Sequence, residues 1–280
     1  SSDVCSSDLS LIPGNGCWRG GRMAGHERME AVVENAEGAA PILLVCEHAS
    51  NFMPPAFAGL GLSEALIQDH VAWDIGAHAT ARRLAEMLDA PLVAAPASRL
   101  LVDPNRDLDA PDLIPDSAEG VPVPGNAAIS ADERASRIAA FHAPFHLAIE
   151  ALLRARPAVM ALMAVHSFTP ALFGKARPWH AGVLHGEDRR MADVMLATLA
   201  GDKDLEIGRN QPYAPSQGVF YTMNRHGGGR ATVMIEVRND LIRDKIGQTQ
   251  WARRLAEATR AALAELVGES AAAATMRGRS

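Results

Sequence analysis

Three short apolar runs, Ile42–Cys46, Met160–Val165 and Thr232–Ile235, each lead into a side chain that can bind a cation or carry a proton. These are Glu47 and His48, His166, and Glu236. A strand buried on both faces reads as a near-continuous apolar run, and a largely parallel sheet delivers its functional groups at the carboxyl ends of its strands. The three endings are therefore expected to converge on one crevice. Helical patterns separate the runs: Asp74 precedes a segment in which Ala77, Ala81, Leu84, Ala85 and Leu88 share one face, and Glu187–Leu199 and Leu241–Leu266 also read as helices. This alternation predicts an α/β fold with three layers, α/β/α, around a mixed central sheet.

Further strands are expected at Leu92–Ala95, Leu100–Val102 and Trp179–Leu184, and the second and third runs belong to strands over Ala158–Val165 and Ala231–Val237. Ser130-Ala-Asp-Glu133 is a capping box and should start a helix running through Phe141 and Phe145 to Ala155. Asp107–Asn126, loaded with Pro, Asp and Gly, reads as one long loop, and loops of that length often cover active sites. Residues 1–40 are expected to be a disordered or non-native leader. The first 22 are rich in Ser, Gly, Asp and Cys and lack the apolar core of a signal peptide, so Met23 reads as a native start. Residues 268–280 are expected to be a frayed tail, leaving a single catalytic domain over 41–267.

A chain of 280 residues with 48% hydrophobic content can bury one large core. Its net charge of -6, without any Lys/Arg-rich run, argues against nucleic acid or an anionic membrane surface as partner. No uninterrupted apolar stretch approaches the roughly 18 residues of a membrane span, and the three cysteines fit neither a disulfide framework nor a thiolate zinc site. The expectation is a soluble, cytoplasmic protein acting on a small molecule.

His48 and His166 each follow an apolar run, which places an imidazole at a strand end. Together they suit a catalytic zinc site, which needs about three His or carboxylate ligands and one open position. Asp74 is the preferred third ligand. Glu47 is the alternative, although in a continuing strand it points away from His48. Glu236 is costly inside a strand unless it has a partner or a task; it is the candidate general base, or else the buried ion-pair partner of Arg238 on the same strand face. Arg106, helped by the Asn105 amide, is placed to clamp a substrate carboxylate, with Arg99 and Arg238 as further binding cations; Asp103 would orient one of these arginines. A metal-free amidase using Cys46 and His48 is a third possibility, set against Cys46 as a packing residue.

Six ordered motifs carry a resemblance. They are Cys46-Glu47-His48-Ala-Ser-Asn51 followed by Pro54, Ala72-Trp73-Asp74-Ile-Gly76-Ala77, Ser98-Arg99-Leu-Leu-Val-Asp103-Pro-Asn105-Arg106, Val-His166-Ser-Phe-Thr-Pro, Asn210-Gln-Pro-Tyr213 and Ile-Glu236-Val-Arg-Asn-Asp240. Over roughly Pro41 to Asp240 the chain resembles the N-formylglutamate amidohydrolase family. The resemblance implies a zinc-peptidase-like fold, similar to metallocarboxypeptidases and aspartoacylases, a Zn²⁺ cofactor, and hydrolysis of an N-acyl amino acid. N-formyl-L-glutamate, in histidine degradation, is the expected substrate. In those relatives a His and a Glu three residues apart share the metal, whereas position 51 here is Asn. The later His ligand, the Asn-Arg pair and the strand-borne base of the family match His166, Asn105-Arg106 and Glu236. The competing expectation is a catalytically idle relative that binds small carboxylates through Arg99, Arg106 and Arg238.

Overall fold

The computed structural model describes residues 25–277. In chain order its elements are β1 (Val32–Glu34), β2 (Ile42–Cys46), a short α1 (Glu64–Ile67), α2 (Ala77–Leu88) and β3 (Leu92–Ala94). The hairpin β4 (Ser117–Ala118) and β5 (Val121–Pro122) follows, then α3 (Ala131–Arg137), a π-helical turn at Ile138–His142, α4 (Ala143–Ala155) and β6 (Ala161–Phe168). A second hairpin, β7 (Ala171–Leu172) and β8 (Lys175–Ala176), precedes β9 (Ala181–Leu184), α5 (Arg190–Leu199), β10 (Ile207–Arg209), α6 (Tyr221–His226), β11 (Ala231–Arg238) and α7 (Lys245–Arg277).

Seven strands form one mixed sheet in the order β1-β3-β2-β6-β11-β9-β10. The central pairs β3–β2, β2–β6 and β6–β11 are parallel, while β1–β3 and β11–β9 are antiparallel. Alternation along β2 shows how the layers are built. Ile42, Leu44 and Cys46 pack toward α2, α5 and α7, whereas Leu43 and Val45 pack toward Phe145 and Ile149 of α4 and Met223 of α6. Both faces are apolar, so the strand lacks the polar alternation of a half-exposed sheet. Each fully buried Leu, Ile or Phe contributes about 1.5–3 kcal/mol of transfer free energy, which makes the sheet centre a rigid base for whatever its strand ends carry.

Several expectations change. The predicted leader over 1–40 falls partly outside the described residues, but within 25–40 the chain supplies β1, whose Val32 pairs with Ala94. Two of the three β1 residues are exposed, so this edge strand carries no apolar signature. Leu100–Val102 is a turn rather than a strand: the Leu101 N–H donates to the Ser98 carbonyl, and its apolar side chains join Leu113 and Phe141 in a separate core beneath the loops. The last helix runs to Arg277, past the expected fraying point. Ser130 caps α3 as anticipated, its hydroxyl accepting from the Glu133 N–H at 3.1 Å. Among the described residues no helix is long and apolar enough to cross a membrane.

Candidate active site

The carboxyl ends of β2, β6 and β11 open into a cavity of about 260 Å³. Parallel register sets Glu236 of β11 beside His166 of β6. Because β2 stops at Cys46, Glu47 and His48 escape the strict alternation of a strand, and both side chains come to lie against the same cluster. Asp74 arrives on the next connection, and its N–H donates to the His48 carbonyl at 2.9 Å.

His166 Nδ1 lies 2.8 Å from Asp74 Oδ2 and 3.2 Å from His48 Nδ1, and His48 Nδ1 lies 3.3 Å from Asp74 Oδ1. Behind the rings stand two more carboxylates. His48 Nε2 donates to Asp103 Oδ1 at 2.8 Å, and Glu47 Oε2 sits 3.0 Å from His166 Nε2. The Asp103 hydrogen bond fixes the His48 tautomer and turns its Nδ1 lone pair inward, while Glu47 meets His166 Nε2 as a close charge contact without hydrogen-bond geometry. Ligand atoms of His48, Asp74 and His166 all lie within 4.8 Å of one another, and all three residues are buried. Two imidazoles and a carboxylate at these distances fit a zinc ion that keeps one position open.

The cluster is strongly polarised. Burial would raise the Asp74 carboxyl, but His48 and His166 outweigh it and hold Asp74 far below the usual carboxylate range. Asp103 is held down in the same way by His48, Arg99 and Arg106 against its burial. For His166 burial favours the neutral ring, yet the Glu47 and Asp74 carboxylates on either side raise its pKa well above the ordinary value. Glu236 behaves oppositely. Burial first, and the Asp74 charge after it, push its carboxyl up to about 8, with His166 and Arg99 pulling the other way. Its Oε2 is buried without a hydrogen-bond partner.

Arg238 does not supply that partner. Its guanidinium turns to Asp240, with Nε donating at 2.8 Å, and it is not among the cavity-lining residues. Strand alternation puts Arg238 on the expected face, but β11 ends there and the side chain meets the following turn. Arg99 and Arg106 do line the cavity. Arg99 Nη2 donates to Asp103 Oδ2 at 2.8 Å, and its Nη1 lies 3.7 Å from Asp74 Oδ1. Arg106 Nε donates to the exposed Asp112 at 2.7 Å. The Asn105 amide borders the cavity but is committed to the backbone: Nδ2 donates to the Val219 carbonyl, and Oδ1 accepts from the Thr222 N–H at 3.1 Å. Cys46 is fully buried in the core under α2, α5 and α7, and burial, then the Glu47 charge, push its thiol well up. It is a packing residue.

Some of the site is absent from the strand-end pattern. The Asp107–Asn126 segment borders the cavity as expected, but it carries the hairpin β4–β5, whose Glu119 accepts from His70 Nε2 at 2.8 Å. Tyr213 also lines the cavity; burial, then the Glu236 charge, push its phenol up to about 12. Two glycines seat the segment that carries it. Gly182 of β9 is the register partner of both Glu236 and Gly208 of β10, and a Cβ at Gly182 would stand 1.7 Å from the Gln211 carbonyl oxygen. The only sequence signal for Tyr213 is its place in the Asn210–Tyr213 motif.

A buried acid–base group beside a cation-ready His–Asp–His cluster, at the strand ends of an α/β sheet, is the equipment of a hydrolase. Residues 40–243 match the profile of the N-formylglutamate amidohydrolase family, and the chain belongs to that family. Its reaction class is the hydrolysis of amides. Among solved structures, a gene product of Agrobacterium tumefaciens is similar at 40% identity with a TM-score of 0.82, covering 85% of this chain and 96% of that one. The N-formylglutamate amidohydrolase of Ralstonia eutropha JMP134 shares the fold with a TM-score of 0.62 at 21% identity, over 85% of this chain and 99% of that one. No curated protein matches the sequence.

Proposed function

We propose that the protein hydrolyses the amide bond of an N-acyl amino acid with the help of a zinc ion held by His48, Asp74 and His166. The substrate is N-formyl-L-glutamate, and the products are formate and glutamate. The observation that carries this reading is the buried, unpartnered Glu236 oxygen on the strand next to His166. Such a group is costly to retain in a core and useful beside a reacting water. The family's name supports the formyl substrate, and two arginines at the cavity suit a molecule with two carboxylates.

A divalent metal in the His–Asp–His site supplies an electrophile for the amide carbonyl and favours ionisation of water near neutral pH. The protein's own groups do the rest. Glu236 Oε2 takes a proton from the attacking water and returns it to the departing nitrogen, so the amine leaves neutral and the carboxylate is regenerated. A cation held by His48, Asp74 and His166 would oppose the upward pull on Glu236 and favour its ionised form. Arg99, anchored on Asp103, turns its remaining N–H groups to the cavity, where they suit one of the substrate's carboxylates. Arg106, whose Nε and Nη1 donate to Asp112 and to the Asn105 carbonyl, brings its positive charge and its free Nη2 to the cavity for the other carboxylate, and Asn105 fixes the turn that carries it.

The test pairs metal analysis of the purified protein with an amine-release screen over N-formyl, N-acetyl and longer N-acyl amino acids. The expected result is one zinc per chain and the fastest turnover on N-formyl-L-glutamate. A protein that takes up no metal and releases no amine from any substrate would sink the reading.

A further inference from the structure

Behind the cavity, on the opposite side of the Asp103–Arg106 turn from the candidate metal site, three more histidines are buried together. His142, His146 and His226 are 2%, 1% and 6% exposed. His146 follows His142 by one helical turn, their rings 4.4 Å apart, and His226 stacks on His146 from α6 at 5.1 Å. A layer that elsewhere uses Phe145, Ile149 and Leu153 would pack more cheaply with apolar residues here, because a buried imidazole must be hydrogen-bonded to be tolerated. His142 also sits in the π-helical turn, a rare feature that clusters at functional sites.

The hydrogen bonds give these rings a direction. His146 Nε2 lies 2.9 Å from the Pro104 carbonyl, which can only accept, so Nε2 carries the proton. Burial pushes His146 down to about 2, leaving the ring neutral, so its Nδ1 must accept. The donor to it is His226 Nε2 at 2.8 Å. His142 Nε2 approaches the Arg106 carbonyl at 3.3 Å. The peptide unit whose carbonyl belongs to Pro104 has the Asn105 N–H on its other side, and that N–H donates to Asp103 Oδ1 at 2.8 Å. Asp103 Oδ1 is the same atom that accepts from His48 Nε2. One line of donors therefore runs from His226 through His146 and a single peptide plane to Asp103, where it meets the ring that faces the candidate metal position. Chained hydrogen bonds polarise one another, and a peptide held on both sides cannot rotate without breaking one of them.

We propose that His142, His146 and His226 are positioning residues that hold the Asp103–Arg106 turn from behind and, through the Pro104–Asn105 peptide, orient Asp103 against His48. The proposal goes beyond the amidase reading but rests on it for its catalytic consequence. It predicts that loss of the His146 bonds weakens zinc binding while the chain still folds.

The experiment measures three quantities on each variant: zinc affinity by chelator competition, the Asn105 amide resonance in a metal-free ¹⁵N-labelled sample, and thermal unfolding. His146→Phe keeps the bulk and removes both bonds. It should lower zinc affinity about 10-fold, the lower end for groups behind a ligand, and shift the Asn105 amide. His146→Gln keeps a donor for Pro104 and should recover most of the affinity. Leu153→Ala, further along α4, should lower the melting temperature yet leave both zinc affinity and the Asn105 signal in place. If His146→Phe does not fold, His226→Leu carries the same measurements, since it removes the donor to His146. Unchanged affinity and an unchanged Asn105 signal in the histidine variant would overturn the proposal, as would equal changes in Leu153→Ala. If the wild-type protein takes up no zinc, the amidase reading fails separately, and the Asn105 amide alone then decides: a shift supports the strut and no shift overturns it.

Discussion

Two histidine clusters lie within the same fold, both buried and both internally hydrogen-bonded, and their surroundings drive them in opposite directions. Around His48 and His166 stand Glu47, Asp74 and Asp103, and His166 is raised well above its ordinary value despite burial. Around His146 and His226 the polar partners are backbone carbonyls and other rings. Burial therefore prevails, and they fall to about 2 and about 4. The residue type is the same; three carboxylates make the difference. Imidazoles lined with negative charge form a cation-ready site, and imidazoles lined with carbonyls form neutral struts.

Removing the carboxylates that define the first cluster is the harshest way to break this contrast. Asp74→Ala should leave the protein without bound metal and without measurable turnover, because it deletes a ligand atom. Glu47→Ala, which removes only the charge behind His166, should cost about 10- to 100-fold in zinc affinity or activity. If metal analysis of the two variants gave the reverse order, Glu47 would be the third ligand and Asp74 the supporting group.

Glu236 belongs to neither cluster, being an acid held without a hydrogen-bond partner on Oε2 next to the charged one. Glu236→Gln keeps its shape and cannot accept the proton, so kcat should fall by about 10²- to 10⁴-fold with zinc content and folding intact. Zinc loss in this variant would make Glu236 a ligand. Wild-type kcat would return the search for a base to Glu47 and Asp74.

The parts of this arrangement that could be read from the sequence are those with a period. Apolar runs ending in His166 and Glu236 announce strand ends, and the helical face from Ala77 to Leu88 announces α2, because burial imposes spacings of two and 3.6 on the residues it selects. The neutral cluster has no such signature. His146 and His226 lie 80 residues apart in sequence, and only the packing of α4 against α6 stacks His226 on the ring that bonds the Pro104 carbonyl, while His142 reaches the Arg106 carbonyl from the π-helical turn. Strand ends are equally hard to see. Alternation places Glu47 away from His48 and Arg238 beside Glu236, yet both relations dissolve where β2 and β11 stop and the chain turns. Leu100–Val102 shows the converse error, an apolar triplet whose core is a loop cluster rather than the sheet.

A gentler probe of the contrast is acid. His146 and His226 have folded pKa values below the unfolded value of about 6.5, so the unfolded chain takes up their protons first and stability falls as pH drops below that value. The slope is at most about 1.4 kcal/mol per pH unit for each histidine. For His226 the loss extends down to about 4. The carboxylates of the charged cluster are depressed too, but their contribution is lost only below their own unfolded values of about 4. Raised histidines such as His166 act above 6.5 and add no slope in this window. Glu236, raised to about 8, works the other way: in this window its unfolded carboxyl is ionised while the folded one keeps its proton, so its contribution grows as pH falls. Thermal melts between pH 6.5 and 4.5 should therefore fall less steeply in the wild type than the histidines alone would give, and more shallowly still in His226→Leu. Parallel curves would mean that His226 is not held neutral.

The smallest expected effect comes from Cys46, which lies next to the charged cluster in sequence and points to the opposite face of the sheet. Alternation along β2 puts Cys46 on the face of Ile42 and Leu44, against α2 and α7, while His166 and Glu236 occupy the other face of the sheet with Ala164 and Met234. Its thiol is fully buried and pushed well up, so no thiolate is available for attack near neutral pH. Cys46→Ala should accordingly cost about 1 kcal/mol of stability through a small packing void and leave kcat and zinc affinity within about a factor of two of wild type. A chelator-treated enzyme that retained turnover and lost it on Cys46→Ala would reverse the assignment, since catalysis would then run through sulfur and the His–Asp–His cluster would serve only to support the fold.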